Sequence, residues 1–143
     1  MLWKMADAIL VTHIVTGALG LLLGSAAILG AVRTKVPGWT AATYHWLVLA
    51  VCITAVALAL LDLSALWFFG PIAAGSYALA LWAHLAEKRQ PSGWRARYLR
   101  GLGGSYIALV TALLVVSVGS PAAWVLPSLC GVPLLHGAAH RIG

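Results

Sequence analysis

The side chains able to do chemistry are few, and most sit inside apolar runs. His45 stands between two aromatics in TYHWLVLAV, residues 43–51. His84 lies in ALWAHLAEKR, with Glu87 three residues later. His13 lies in LVTHIVTGALG, Asp62 in a short DLS turn, and His136 and His140 close to the last residue. Asp7, Asp62 and Glu87 are the three acids of the chain. Seven Trp, four Tyr and two Phe supply aromatic faces. An ionisable group in an apolar span is a functional candidate, because burying it is expensive unless it finds a partner.

This inventory permits two chemistries. The first is proton-initiated ring closure on a lipophilic, electron-rich substrate. Aromatic faces stabilise a cation by up to roughly 2 kcal/mol each when dry. Tyr44, Trp46, Tyr77, Trp82 and Tyr106 could wall such a chamber, with Ser105 and His13 as further substrate contacts. A carboxyl group kept neutral by apolar surroundings can donate a proton. Asp62 and Glu87 are the candidate donors, and His45 or His84 would take the final proton. The second chemistry is haem. Two neutral imidazoles at matched depth on adjacent helices can ligate a b-type haem, and His45 with His84 is the best-matched pair.

Plainer roles compete with both. A buried histidine can donate to a carbonyl, and Asp62 can cap the helix that follows it. His136 and His140 have i,i+4 spacing but no evident third ligand, so no metal site is expected. Cys52 and Cys130 lie in apolar runs without metal-ligand spacing and are read as small hydrophobes. No P-loop, nucleophile elbow, HExxH or CxxC occurs. With three acids, a divalent-metal site built on paired carboxylates is not expected.

The scaffold that holds these groups follows from composition. Of 143 residues, 62% are hydrophobic and only 8% charged, against roughly a quarter charged in soluble domains. So few polar groups cannot cover a water-facing surface, and the chain reads as an all-α integral membrane bundle, one domain over residues 1–143. Roughly 20 apolar residues cross a bilayer as helix. Ala6–Val32, Trp39–Leu61, Ala65–Ala86 and Leu102–Val118 qualify readily. Pro121–Ala139 is just long enough and carries Pro127 and Pro133, which makes four or five spans. The first apolar run continues to about Val32 with no clear cleavage site, so it is read as a span and not a signal peptide.

Arg33, Lys35, Lys88, Arg89, Arg95, Arg97, Arg100 and Arg141 fall on one face of a five-helix antiparallel topology, and Lys4 on the other. The positive-inside rule then places the basic loops in the cytoplasm and the N-terminus outside, in a multi-pass protein of the cell membrane. The formal net charge of +6 concerns orientation and anionic lipid more than nucleic acid, because the basic residues are split between spans. Arg97 or Arg100 could also hold an anionic substrate group.

Small-residue stripes mark the faces that meet other helices. They are His13, Gly17, Gly20, Gly24 and Ala27; His45, Val48, Cys52, Ala55, Ala59 and Asp62; and Gly70, Ala73, Tyr77, Ala80 and His84. The fourth span opens RGLGGSY, with glycines beside Ser105 and Tyr106. In a hairpin folded about Leu63, His45 lies 18 residues before the tip and His84 lies 21 after it. At ~1.5 Å per residue they differ in depth by only ~4 Å. His136, Tyr44 and Tyr106 fall in the same layer, with Tyr77 somewhat deeper.

The whole chain resembles small actinobacterial membrane proteins of a bacterial domain-of-unknown-function family. The resemblance rests on LVTHIVTGALGLLLG, YHWLVLAVCITA, GSYALALWAHLAEKR, RGLGGSYIALVTALLVV and WVLPSLCGVPLLH, of which the fourth is the most specific. Some similar bundles belong to pathways of prenylated indole or diketopiperazine terpenoids, where membrane-bound terpene cyclases close rings on a prenyl chain. The resemblance implies such an enzyme, without a cofactor. No acidic motif of those cyclases can be matched here residue by residue. The alternatives are a haem b protein held by His45 and His84, or an accessory membrane subunit. The expected partners are a lipophilic prenylated small molecule and membrane lipids, with no nucleic acid and with homo-oligomer formation left open.

Overall fold

The structure is a computed structural model that describes residues 2–33, 38–61 and 67–143. Within these residues five helices follow one another: α1 (Leu2–Val32), α2 (Gly38–Leu61), α3 (Phe69–Arg89), α4 (Trp94–Val118) and α5 (Ala122–Ile142). Among the described residues there is no strand.

Local chemistry sets the helix ends where they are described. Gln90 closes α3 in the left-handed region at φ 44°, and its amide donates to the Ala86 carbonyl. Pro91 then prevents continuation, and Gly93, at φ 67°, starts α4. Gly119 closes α4 at φ 63°, and Ser120 and Pro121 follow it. Pro127 and Pro133 lie inside α5, which remains one helix. Neighbouring groups in a membrane bundle can satisfy the carbonyls that proline frees.

Cross-helix contacts fix the directions. His13 meets Thr54 and Cys52 donates to the Ala73 carbonyl. A Cβ on Gly101 would meet Leu79 and Ala83, and one on Gly131 would meet Ile107. Each pairing runs antiparallel. α1, α2, α3 and α4 close a four-helix ring in that order, with α1 also packed on α4; α5 lies outside it, packed chiefly on α4. The core is built from small residues, including Ala27, Ala31, Ala73, Ala80 and Ala83, around Tyr44, Tyr98, Leu99 and Leu102. Large apolar side chains such as Leu22, Ile53, Leu60, Val116 and Leu134 point outward. That inversion suits a bilayer, where close helix approach and not burial of bulky groups drives packing.

Among the described residues, four helices are long and apolar enough to cross a membrane: Lys4–Val32, Gly38–Leu61, Trp94–Val118 and Ala122–Ile142. This is the composition of a multi-pass membrane protein. The helix read from sequence as marginal, α5, is among the four, and α3 is not. Gly70, Pro71, Gly75, Ser76, Tyr77 and His84 make α3 the more polar helix. Its polar groups turn inward or onto its own backbone: His84 stacks on His45, and Ser76 donates to the Ile72 carbonyl. At 21 residues it is still ~31 Å long. The antiparallel order brings Arg33, Lys88, Arg89, Arg95, Arg97, Arg100 and Arg141 to one end and leaves Lys4 at the other.

Candidate functional site

Three features mark where the helices meet and where they part. The first is a hydroxyl layer at the centre. Tyr44 is 1% exposed and Ser105 fully buried. Their hydroxyls lie 2.6 Å apart, joining α2 to α4. Next along α4, the Tyr106 hydroxyl lies 2.7 Å from Ser25, joining α4 to α1. Both tyrosine rings pass beside Gly24, the one position on that turn of α1 where they fit without a Cβ in the way. The Ser25 hydroxyl also reaches its own helix at the Leu21 carbonyl, so its proton is donated there and the Tyr106 phenol donates to Ser25.

This layer makes a prediction. In Tyr44→Phe the Ser105 hydroxyl loses its partner in a site closed to water. The expected cost is ~0.6 to ~1.7 kcal/mol, the range for such bonds between membrane helices. Thermal unfolding in detergent measures it. Ser105→Ala in the Tyr44→Phe background should cost less than it does alone; full additivity would mean that the two hydroxyls are not coupled.

The second feature is an imidazole stack between α2 and α3. The rings of His45 and His84 lie parallel within 10°, with centroids 4.8 Å apart. Tyr77 packs on His45 at 5.4 Å. His45 is 6% exposed, and the buried Nδ1 atoms of both histidines have no hydrogen-bond partner among the described residues. The two lie at matched depth, as the residue count across the hairpin expects. The stacking decides what the pair can hold. An iron bound by two imidazoles lies in the plane of both rings, with the macrocycle between them. Rings stacked face to face at this separation offer neither the common axis nor the gap. The residues present do not fit a haem.

The third feature is a lateral cleft of about 410 Å³. Leu99, Gly103, Tyr106, Ile107 and Val110 of α4 floor it. Ile28 and Val32 of α1 form one wall, and α5 forms the other through Pro127, Cys130, Gly131, Leu134, Leu135 and Ala138. It exists because α1 and α5 both lean on α4 from opposite sides. The lining is apolar except for Tyr106, whose hydroxyl is engaged by Ser25. Cys130 is exposed in the wall, whereas Cys52 is buried.

The remaining expected site residues are dispersed. Trp46 is 64% and Trp82 44% exposed. Trp46 still touches His45 edge-on, but neither tryptophan lines the cleft. They belong to the outer surface, as interfacial tryptophans do. His13 bonds Thr54 at 2.9 Å on α1 and α2, far along both helices from Tyr44. Glu87 is half-buried, with Oε1 3.2 Å from where a Cβ on Gly38 would sit. A carboxylate over the first residue of α2 complements the positive end of that helix. Asp62 lies outside the described residues. His136 is exposed and points away from the inner layer, its Nε2 3.1 Å from that of His140. No cluster of three metal-ligating side chains occurs among the described residues.

Sequence reasoning passes over three participants. Ser25 and Thr54 are hydroxyls at the depths of Tyr106 and His13, and matching depths across each helix pair would find them. Arg95 is the third. Its Nη2 donates to the Ala31 carbonyl at 2.9 Å, while Arg97 and Arg100, the arginines singled out from sequence, are exposed. No family model, no curated protein and no solved structure matches the chain.

Proposed function

We propose that this protein takes a lipophilic, chain-like small molecule of prenyl character from the bilayer into the cleft between α1 and α5. The supporting observation is the cleft itself: about 410 Å³, apolar, and open at the outer surface of the bundle, where Val32, Cys130 and Leu134 of its lining are exposed. Apolar concavities with one or two placed polar groups are the usual form of small-molecule sites. Here that group is the Tyr106 phenol, pinned by Ser25. The basic end of the bundle faces the cytoplasm in this reading, and the membrane is the cell membrane.

The geometry favours the binding half of the cyclase expected from sequence. A cyclase would use the cleft to fold the chain and the Tyr106 ring to shield positive charge. Among the described residues, neither Glu87, His45 nor His84 lines the cleft, so no proton transfer from these groups is assigned to it. Whether the bound chain reacts is decided by incubating the purified protein with a prenylated indole and searching for an isomer of unchanged mass.

The binding reading has its own test. Tritiated farnesol should bind the detergent-purified protein saturably, at about one molecule per chain. Val110→Trp, which fills the cleft floor, should weaken binding about tenfold or more. Uptake that rises in proportion to farnesol, the same in both proteins, is bulk partitioning and would discard the cleft as a site.

A further inference from the structure

We propose that the molecule held in the cleft ends in a phosphate, as a single-chain lipid phosphate, and that Arg95 receives that phosphate. This rests on the cleft being a binding site, and adds what kind of molecule fills it.

Arg95 stands in the first turn of α4, on the stripe that continues through Leu99, Gly103 and Tyr106 into the cleft floor. It is half-buried, and its Nη2 donates to the Ala31 carbonyl in the last turn of α1. The next residue of α1, Val32, lines the cleft. Arg95 is not itself part of the lining; it stands one turn before Leu99 of the floor and is held on the residue before Val32 of the wall, next to the basic end of the cleft. Guanidinium carries five N–H donors in a planar fork that matches phosphate oxygens in pairs. One is directed at Ala31, and among the described residues no carboxylate pairs with Arg95.

The surrounding charge selects an anion. Arg33, Lys88, Arg89, Arg97, Arg100 and Arg141 share this end of the bundle, and among the described residues Glu87 is its one acidic side chain, placed against Gly38. The negative end of α1 offsets part of the Arg95 charge, by about half a unit. The charge of a phosphate dianion is several times larger.

The cleft's dimensions suit one chain. From Leu99 to Val110 the floor runs 11 residues, or ~16 Å. A volume of about 410 Å³ holds ~14 groups of the size of a water molecule, ~30 Å³ each. One chain of farnesyl length is on that scale.

The test uses the full chain in detergent and two probes that differ only at the head, farnesol and farnesyl phosphate. Farnesyl phosphate should bind at least tenfold more tightly, with the advantage shrinking as salt rises. Arg95→Gln should bring the ratio close to one; the shorter glutamine gives up the Ala31 contact, and unchanged farnesol binding shows that the fold and the cleft survive that loss. Arg100→Gln, at an exposed arginine off the cleft, should leave the ratio in place. Dioleoyl phosphatidylglycerol should compete poorly. A ratio of one in the unaltered protein overturns the phosphate assignment while leaving the cleft as a site. Equal losses in Arg95→Gln and Arg100→Gln reduce the effect to diffuse charge, and efficient competition by the diacyl lipid makes the occupant ordinary anionic phospholipid. Either result overturns the inference. No saturable binding of either probe removes the cleft reading itself.

Discussion

Gly101→Leu is expected to abolish the folded bundle, and even Gly101→Ala should lower stability by about 1 to 3 kcal/mol, as overpacking does. A Cβ on Gly101 would lie 2.7 Å from the Leu79 carbonyl oxygen, 2.9 Å from the Ala83 amide nitrogen and 3.0 Å from the Ala83 Cβ. Two of these atoms are backbone and the third is tied rigidly to it. None can rotate away, so relief requires α3 and α4 to separate. That separation would loosen the packing of Leu99 and Leu102, both fully buried. Gly75→Ala is the control. Nothing lies within 4 Å of its added carbon, and a helix-interior Gly to Ala change should be neutral or stabilising by up to ~1 kcal/mol. Unfolding of the three proteins in detergent, followed by far-ultraviolet circular dichroism, gives the comparison. Equal midpoints for Gly101→Ala and the unaltered protein would mean that α3 and α4 do not approach at Gly101.

Gly24 is the corresponding position at the candidate site, with a different kind of neighbour. Its added carbon would lie 2.7 Å from Tyr106 Cδ2 and 2.8 Å from Tyr44 Cε2. These are ring carbons of side chains tethered at their hydroxyl ends by Ser25 and Ser105. A ring held at both ends cannot yield as a flexible tip would. Gly24→Ala should therefore strain or break both interhelical hydrogen bonds, at a cost of about 2 kcal/mol. Gly24→Leu should not fold. Because Tyr106 also floors the cleft, farnesol binding to Gly24→Ala should weaken together with stability. Removing the ring tests the cause: the cost of Gly24→Ala should fall in a Tyr106→Ala background, a coupling that a double-mutant cycle reads directly. An unchanged cost would locate the strain elsewhere on α1.

Both glycines belong to features legible in the linear sequence. RGLGGSY and the stripe through Gly20, Gly24 and Ala27 read as helix-meeting faces, and these faces do meet other helices. The reason is general to membranes: close approach is the available source of packing energy, so small residues mark interfaces wherever the helices lie. The rotational choices are partly legible as well. Tyr44 and His45 are buried and Trp46 is exposed, which a turn of about 100° per residue allows. Once His45 faces a neighbour, consecutive residues cannot all do so. An aromatic chamber that includes Trp46 and Trp82 joins side chains by type and depth without that constraint.

Class and vertical order are written in the linear chain. An apolar, charge-poor chain with basic residues between its spans specifies helices and the depth of each side chain along them, because rise per residue is constant along a helix. Counting residues is therefore enough to match His45 with His84. The lateral arrangement emerges only when the helices pack. α5 docks on the outside of α4 instead of closing the ring, Arg95 crosses to α1, and the cleft opens between two helices remote in the chain. Depth is a local property of each helix. Which helix stands beside which depends on the summed fit of whole faces, and no short segment encodes that fit.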